Sequence, residues 1–426
     1  MSVFRKIQMN LLILITSLFC HHVVFAQVIG PSVVEARFAF TADFQSQKTA
    51  DAESLAHEHL QHVFGIFQSQ EIVSEFGLSH DKVGGIGAIR DASVRIYKET
   101  DLGQNRTQIK YRVQGKILLH KRVASKLFKN GSLEIPLPVD LNKIFVKKCT
   151  DPHYQTPGDF WYFWNPFQEG CESLLSPELT NLVKIEFAEV PQAKPDLTPR
   201  LDLIRGDNGN GKLFRIDLIY GYNVTNTPED EGRRNYESLD VYFEEAGFER
   251  VESVSKTKQK LKIYKKEVEL PNGKTIDVEV RHILVDTAIE ARSKAFANYF
   301  KDSVYEADVI IYAGHSGLGG NLDISSLAEK AGEFVFNDQK RQIFMFESCS
   351  SYTYYLSAFR SEKKKNKIDI ITNGLASYFH TNVAITVEFL NHLVFPDQDD
   401  VTWMKILTDM EKPLHGGSYL LNVGGI

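Results

Sequence analysis

Two residues of this chain combine reactive chemistry with informative positions: His315 and Cys349. His315 follows the apolar run Val309-Ile310-Ile311-Tyr312-Ala313 and then Gly314. Cys349 follows Ile343-Phe344-Met345-Phe346 and then Glu347-Ser348. Short apolar runs bounded by glycine and polar residues read as buried strands. If the two strands are adjacent and parallel, imidazole and thiol leave the same edge of one sheet. That edge is where open α/β folds bind ligands. A base beside a thiol is the minimum apparatus for cysteine nucleophilic catalysis. Thiolate is the attacking species, and an ordinary thiol is mostly protonated near neutrality. His315 is therefore expected to assist deprotonation and then protonate the leaving group. Backbone N–H groups of Cys349 and of Ser316 or Gly317 are expected to meet the oxyanion. Gly314, Gly317, Gly319 and Gly320 admit close approach of a substrate chain. No metal and no cofactor is required.

The elements around this pair follow a repeating pattern. Phe214 to Tyr222 reads as a strand, Tyr236 to Ala246 as a helix stopped by Gly247, and Arg281 to Val285 as a strand. Ala288 to Phe300 reads as a helix with Asp286 as cap. After the strand ending at His315 come a short helix over Ser325 to Ala331, the strand ending at Cys349, and a helix over Tyr352 to Phe359. Ile368 to Thr372 is the next strand. Val383 to Phe395 and Val401 to Met410 are helices. This alternation predicts an α/β unit over 213–426, a mainly parallel sheet with helices on both faces.

The motifs Tyr312-Ala313-Gly314-His315 and Phe346-Glu347-Ser348-Cys349 resemble the histidine and cysteine motifs of the caspase-like clan of cysteine peptidases, which includes caspases, metacaspases, legumains, gingipains and clostripain. The dyad separation of thirty-four positions (349 minus 315) is closer to gingipain than to caspase. Leu218 to Asn223 looks like the first strand and turn of that domain. The resemblance covers 205 onward. It implies a caspase-like fold, peptidase activity on protein or peptide substrates, and catalysis by His315 and Cys349. Glu347 stands where metacaspases carry an acid lining the pocket for a basic side chain, which implies cleavage after Arg or Lys. The alternatives for Glu347 are a carboxylate paired inside the protein or one merely solvated. The chain departs from the family at Ser316, where the family has glycine directly after the histidine. The run Glu362 to Lys367 lies where caspases carry a processing linker, and a solvated loop is the other reading.

Residues 27–200 read as a strand-rich α+β accessory unit. Ala36 to Phe40, Val94 to Tyr97, Gln108 to Val113 and Lys116 to Leu119 alternate like half-buried strands, and Ala52 to Phe67 reads as a helix. Residues 201–212 read as a linker. The N-terminus reads as a secretory signal over 1–26: Arg5 and Lys6, the apolar core Leu11 to Phe19, and Val24-Phe25-Ala26 before Gln27. This implies a secreted or periplasmic protein, not an integral membrane one after cleavage. Cysteines then number three. Cys149 and Cys171 bracket an aromatic run and are expected to form a disulfide, worth about 3 kcal/mol. That leaves Cys349 free. A formal charge of -6, spread along the chain, points away from nucleic acid.

Three other signals carry less. Gly206 to Lys212 matches G-x-x-x-x-G-K, but Leu213 replaces the magnesium-binding Ser/Thr and the glycines precede a strand rather than follow one. Asp207 to Gly211 lacks the acid that closes a calcium loop. His57, His59 and His62 share a helix with Glu58 but lack the zinc-protease spacing, so surface or partly packed histidines are expected. Five consecutive aromatics, Phe160 to Trp164, suggest either an exposed binding surface or packing against the second unit. The leading expectation is a cysteine endopeptidase. The competing one is a degenerate peptidase serving as a binding or scaffold module, and transpeptidase or amidase chemistry on the same dyad is a third.

Overall fold

Alternating apolar runs and amphipathic segments build two sheets. The structure, a computed structural model, describes residues 27–425 except 80–82, 151–155, 157–159, 192–196, 207–211, 225–226, 257–258, 289–292, 364–366 and 397–400. The leader read over 1–26 and the Asp207 to Gly211 turn lie outside the described residues. In chain order the strands are β1 (Val28–Ile29), β2 (Val33–Gln47), β3 (Gly87–Gly103), β4 (Arg106–His120), β5 (Ser132–Pro138), β6 (Thr180–Glu189), β7 (Leu213–Gly221), β8 (Glu249–Lys256), β9 (Gln259–Glu269), β10 (Thr275–Val285), β11 (Val309–Ala313), β12 (Gln342–Glu347), β13 (Ile368–Thr372) and β14 (Asn422–Gly424).

The larger sheet has nine strands in the order β1-β14-β13-β12-β11-β7-β10-β9-β8. Its central strands β13, β12, β11, β7 and β10 run parallel. Antiparallel strands flank them on both sides. The sheet is therefore mixed rather than mainly parallel. The α/β class holds, but the flanks escaped sequence reading. Strand β8 is the edge of this sheet and carries charges that guard it against pairing with other chains. Strand β9, inside it, is lysine-rich, and its Lys265 pairs across the ladder with Glu279 of β10 (3.1 Å). Strands β1 and β14 are too short to show periodicity. β1 pairs with β14, Val28 opposite Val423, so the start of the segment read as accessory unit lies in the larger sheet.

Both faces of the central strands are covered. Val309, Ile311, Ala313, Ile343 and Met345 join one apolar core with the helices Glu231–Glu245, Phe379–Val394 and Trp403–Glu411. Ile310, Tyr312, Phe344 and Phe346 join another with the helices Lys294–Glu306, Ile324–Ala331 and Leu356–Ser361. Alternate side chains of a strand point to opposite faces, so continuous apolar runs are what a doubly covered strand requires.

The smaller sheet is antiparallel, in the order β3-β4-β2-β6-β5. The two runs read separately at 108–113 and 116–119 are one strand, β4. The helix Ala52–Gln68, capped by Asp51, packs on this sheet. The second apolar core runs continuously from these residues into the larger sheet. The two sheets thus share buried surface, with the smaller one set against the helix Ser351–Tyr354 just after Cys349: Thr353 Oγ1 donates to Ile89 O (3.1 Å).

Helix boundaries shift by a turn in places. Ser293, rather than Asp286, caps Lys294–Glu306, accepting from the Phe296 amide. Asp286 instead closes a small turn with the Ala288 amide (3.1 Å). The helix expected over Tyr352 to Phe359 divides into two short ones at Tyr355. Lys363, expected in a solvated loop, is buried and donates to the carbonyls of Asn337 and Lys340 (2.9 Å each).

Candidate functional site

Of the parallel strands, β7 comes first in the chain. The second, β10, lies on one side of it, and β11, β12 and β13 lie on the other. The direction of winding therefore reverses between β7 and β11. In open α/β sheets this switch point opens a crevice beyond the carboxyl ends of the strands. Gly314 and His315 leave β11 at that crevice, and Tyr222 and Asn223 leave β7 opposite them.

Register sets the relation between His315 and Cys349. Ala313 pairs with Glu347 in the β11–β12 ladder. Each reactive residue lies two positions beyond its own member of that pair, so both emerge at the same sheet edge. The Gly314 amide donates to Glu347 O (3.3 Å), extending the ladder to the base of the site. A Cβ on Gly314 would lie 3.1 Å from Tyr312 Oη and 3.3 Å from Gly221 Cα, so a side chain there would press β7 and the His315 turn apart by a few tenths of an ångström.

His315 is half-buried. Its Nε2 lies 2.8 Å from Asn223 O, and its ring meets Phe379 edge-on at 5.2 Å. A carbonyl can only accept, so Nε2 carries a hydrogen. In the neutral imidazole Nδ1 then holds the free lone pair and is the basic atom. The backbone of His315 is also anchored: Asn321 Nδ2 donates to His315 O (2.8 Å), as does the Tyr312 hydroxyl. Asp230 caps the helix Glu231–Glu245 and reaches back to accept from the amides of Asn223 (3.0 Å) and Val224 (2.8 Å). One carboxylate thus fixes both a helix start and the carbonyl that orients His315.

Ser316 has φ −79° and ψ −27°, ordinary right-handed backbone. That backbone is open to any L-residue, so the departure from glycine costs no backbone strain, but the Ser316 hydroxyl is buried without a hydrogen-bond partner among the described residues. The left-handed conformations follow at Gly317, Leu318 and Gly319. Tyr355 Oη donates to Ser316 O (2.8 Å), tying this loop to the segment beyond Cys349.

Cys349 is half-buried and is the free cysteine among the described residues. Its Sγ lies 3.8 Å from Ser377 O. Burial pushes the thiol above its ordinary value, while the Ser377 backbone and hydroxyl and the cysteine's own amide act in the opposite direction. The next residue, Ser350, is left-handed with φ 51° and ψ 30°, uncommon for a residue with a side chain. Its amide donates to Leu375 O (3.0 Å). Ser351 Oγ donates to Phe346 O (2.6 Å) and accepts from the Asn373 amide (2.8 Å), clamping the turn between β12 and β13. Among the described residues, no protein acceptor takes the amide hydrogens of Ser316, Gly317 or Cys349. No hydrogen bond joins His315 to Cys349 among the described residues.

Glu347 is buried, 1% exposed. Thr386 Oγ1 donates to its Oε2 (3.0 Å), and Tyr220 Oη donates to Thr386 Oγ1 (3.0 Å). In the amide orientation that satisfies its neighbours, Asn382 donates to Glu347 Oε1 (3.2 Å). Burial raises this carboxyl well above its usual range despite the Thr386 bond.

Two histidines of the helix Ala52–Gln68 are packed in the core. His59 is buried between Tyr111 Oη (2.7 Å) and Pro138 O (2.8 Å) and stacks on Phe44, and His62 packs against Trp164. Among the described residues no cluster suited to a metal ion is found, and no described helix is long and apolar enough to cross a membrane. Cys149 and Cys171 form a disulfide, with Cα atoms 5.9 Å apart.

The chain matches no protein-family model. No curated protein sequence is significantly similar to it.

Sequence reading named His315, Ser316, Gly317, Glu347 and Cys349, and all five cluster at the ends of β11 and β12. It missed Asn223, whose contribution is a carbonyl with no side-chain signature. It also missed Asp230, legible only as an acid ahead of a helix. Ser377 and Ser350 carried no signal at all, and Tyr162 was legible only as part of the aromatic run Phe160 to Trp164.

Proposed function

We propose that this chain is a cysteine hydrolase of peptide bonds, with Cys349 as nucleophile and His315 as general base and acid, in a domain resembling the caspase-like clan. The observation that carries the reading is the Ala313–Glu347 register, which sends a base and the free thiol out side by side at the switch point. The Nε2–Asn223 contact supports it, because it leaves Nδ1 as the base.

The steps follow from these groups. The thiol is held above its ordinary value, so proton removal accompanies attack rather than preceding it. His315 Nδ1 takes the Sγ proton as the sulfur–carbon bond forms. The oxyanion is met by the unclaimed amides of Cys349 and of Ser316 or Gly317. The C–N bond breaks as His315 returns the proton to the leaving amine. Water, deprotonated by His315, then hydrolyses the thioester. An acceptor amine in place of water would make the same intermediate a transpeptidation step.

Cleavage after Arg or Lys would require Glu347 to act as an anion in the substrate pocket. The test is hydrolysis of fluorogenic peptides ending in Arg, Lys, Asp, Asn or Leu, with Cys349→Ala and His315→Ala in parallel. We expect Cys349→Ala to abolish cleavage and His315→Ala to lower kcat by about a hundredfold or more. Retained cleavage by Cys349→Ala overturns the reading.

A second reading is a binding or scaffold module on a peptidase-like frame. The missing His315–Cys349 hydrogen bond and the raised thiol favour it. Inert behaviour toward every peptide, together with a Cys349 that reacts no faster than free cysteine, would establish it.

A further inference from the structure

The aromatic segment Phe160–Phe163 is a 3-10 turn inside the loop closed by the Cys149–Cys171 disulfide. Trp161, Tyr162 and Trp164 are buried and Phe163 is half-buried, so these four rings pack inward rather than form an exposed surface. It presses on the helix Ala52–Gln68 at Gly65, where a Cβ would lie 2.6 Å from the Trp164 backbone and 2.7 Å from Trp161 O. Gln68 Nε2 donates to Tyr162 O (2.9 Å), fixing the turn from below. From this platform Tyr162 reaches the other sheet. Its hydroxyl lies 3.0 Å from Ser350 Oγ, and both residues are closed to solvent, at 0% and 2% exposure.

Ser350 is the left-handed residue directly after Cys349. A residue with a side chain adopts that conformation only where its surroundings impose it. Oγ is its one side-chain handle, and Tyr162 holds it from 188 positions away. We propose that Tyr162 is a positioning residue for the nucleophile: through Ser350 it locks the turn that sets the Cys349 amide and holds its thiol against Ser377. The consequence for turnover rests on the hydrolase reading above. The consequence for thiol reactivity does not.

Two readouts separate these. The first is the rate of Cys349 alkylation by iodoacetamide as a function of pH, with Cys349→Ala as the blank for any other thiol. The second is kcat and KM on the best peptide. Tyr162→Phe removes only the hydroxyl. We expect it to slow alkylation by about five- to tenfold, the equivalent of one buried hydrogen bond, to shift the pH dependence, and to lower kcat by a similar factor at unchanged KM. Ser350→Ala should match it, and the double variant should add nothing further. Ser350→Gly lacks the hydroxyl but accepts positive φ freely, so it should recover most of what Ser350→Ala loses. A purely structural role would lower thermal stability without moving the pH–rate profile or producing that glycine rescue.

Wild-type alkylation profiles in both Tyr162→Phe and Ser350→Ala overturn the proposal. If Tyr162→Phe does not fold, Ser350→Ala alone decides it from the other end of the contact. Shifted alkylation in a protein that cleaves no peptide would uphold the positioning role and overturn the hydrolase reading instead.

Discussion

At the scale of single residues, Glu347 shows how environment overrides type. An acid two positions before a nucleophilic cysteine reads as a charge for a basic substrate. Here it is enclosed beneath the sheet edge, desolvated, and hydrogen-bonded to Thr386. Its folded pKa lies well above the ordinary 4.5. The folded state therefore keeps a proton that the unfolded chain gives up, and stability falls as pH rises above about 4.5. Glu347→Gln, which copies the protonated shape, is expected to hold or raise the melting temperature at pH 7–8. Its advantage over wild type should shrink toward pH 4, as measured by thermal unfolding across that range. A large loss of stability at neutral pH would show that an ionised Glu347 supports the fold. Loss of Arg and Lys cleavage alone, with stability intact, would restore its pocket role.

At the scale of elements, the site depends on how strand ends are held. Asp230 caps one helix and also accepts from the Asn223 and Val224 amides, so a single residue joins helix start, loop and His315. Asp230→Ala is expected to cost about 1 kcal/mol as a lost cap. It should also lower kcat more than KM, because the Asn223 carbonyl no longer fixes the imidazole. Thermal unfolding and steady-state kinetics on the same preparation check both. Asp230→Ser, which still caps, should keep most of the stability while losing the second set of amide contacts. The β11 and β12 strands were legible because both faces are covered, which makes their sequences continuously apolar. The β8–β9 hairpin was not, because strands at the sheet margin carry the charges usual on a surface. The Cys349 turn was legible only as a place; its left-handed Ser350 has no local sequence cause and is imposed by neighbours.

At the scale of the whole molecule, the smaller sheet and its helix share a core with the larger sheet and reach the Cys349 turn. Loosening that core should therefore be felt at the site. His59 and His62 are buried as neutral rings, and burial lowers them from 6.5 to about 3 and about 4. The unfolded chain binds their protons below about 6.5 and the folded one does not. Stability is thus fully present above that value and is lost as pH falls toward 4. Melting temperature should drop steeply over pH 6.5 to 4, and His59→Gln should flatten the slope. An unchanged slope in that variant would assign acid sensitivity elsewhere. The sequence by itself determined the α/β alternation, the apolar strands, the disulfide pair and the candidate site residues, because each is written in local periodicity or residue type. Only the tertiary structure decided the antiparallel flanks, the burial that raises the Glu347 carboxyl, the carbonyl that orients His315, and the contact from Tyr162 to Ser350. Those depend on desolvation and on hydrogen bonds between segments far apart in the chain, which no local pattern encodes.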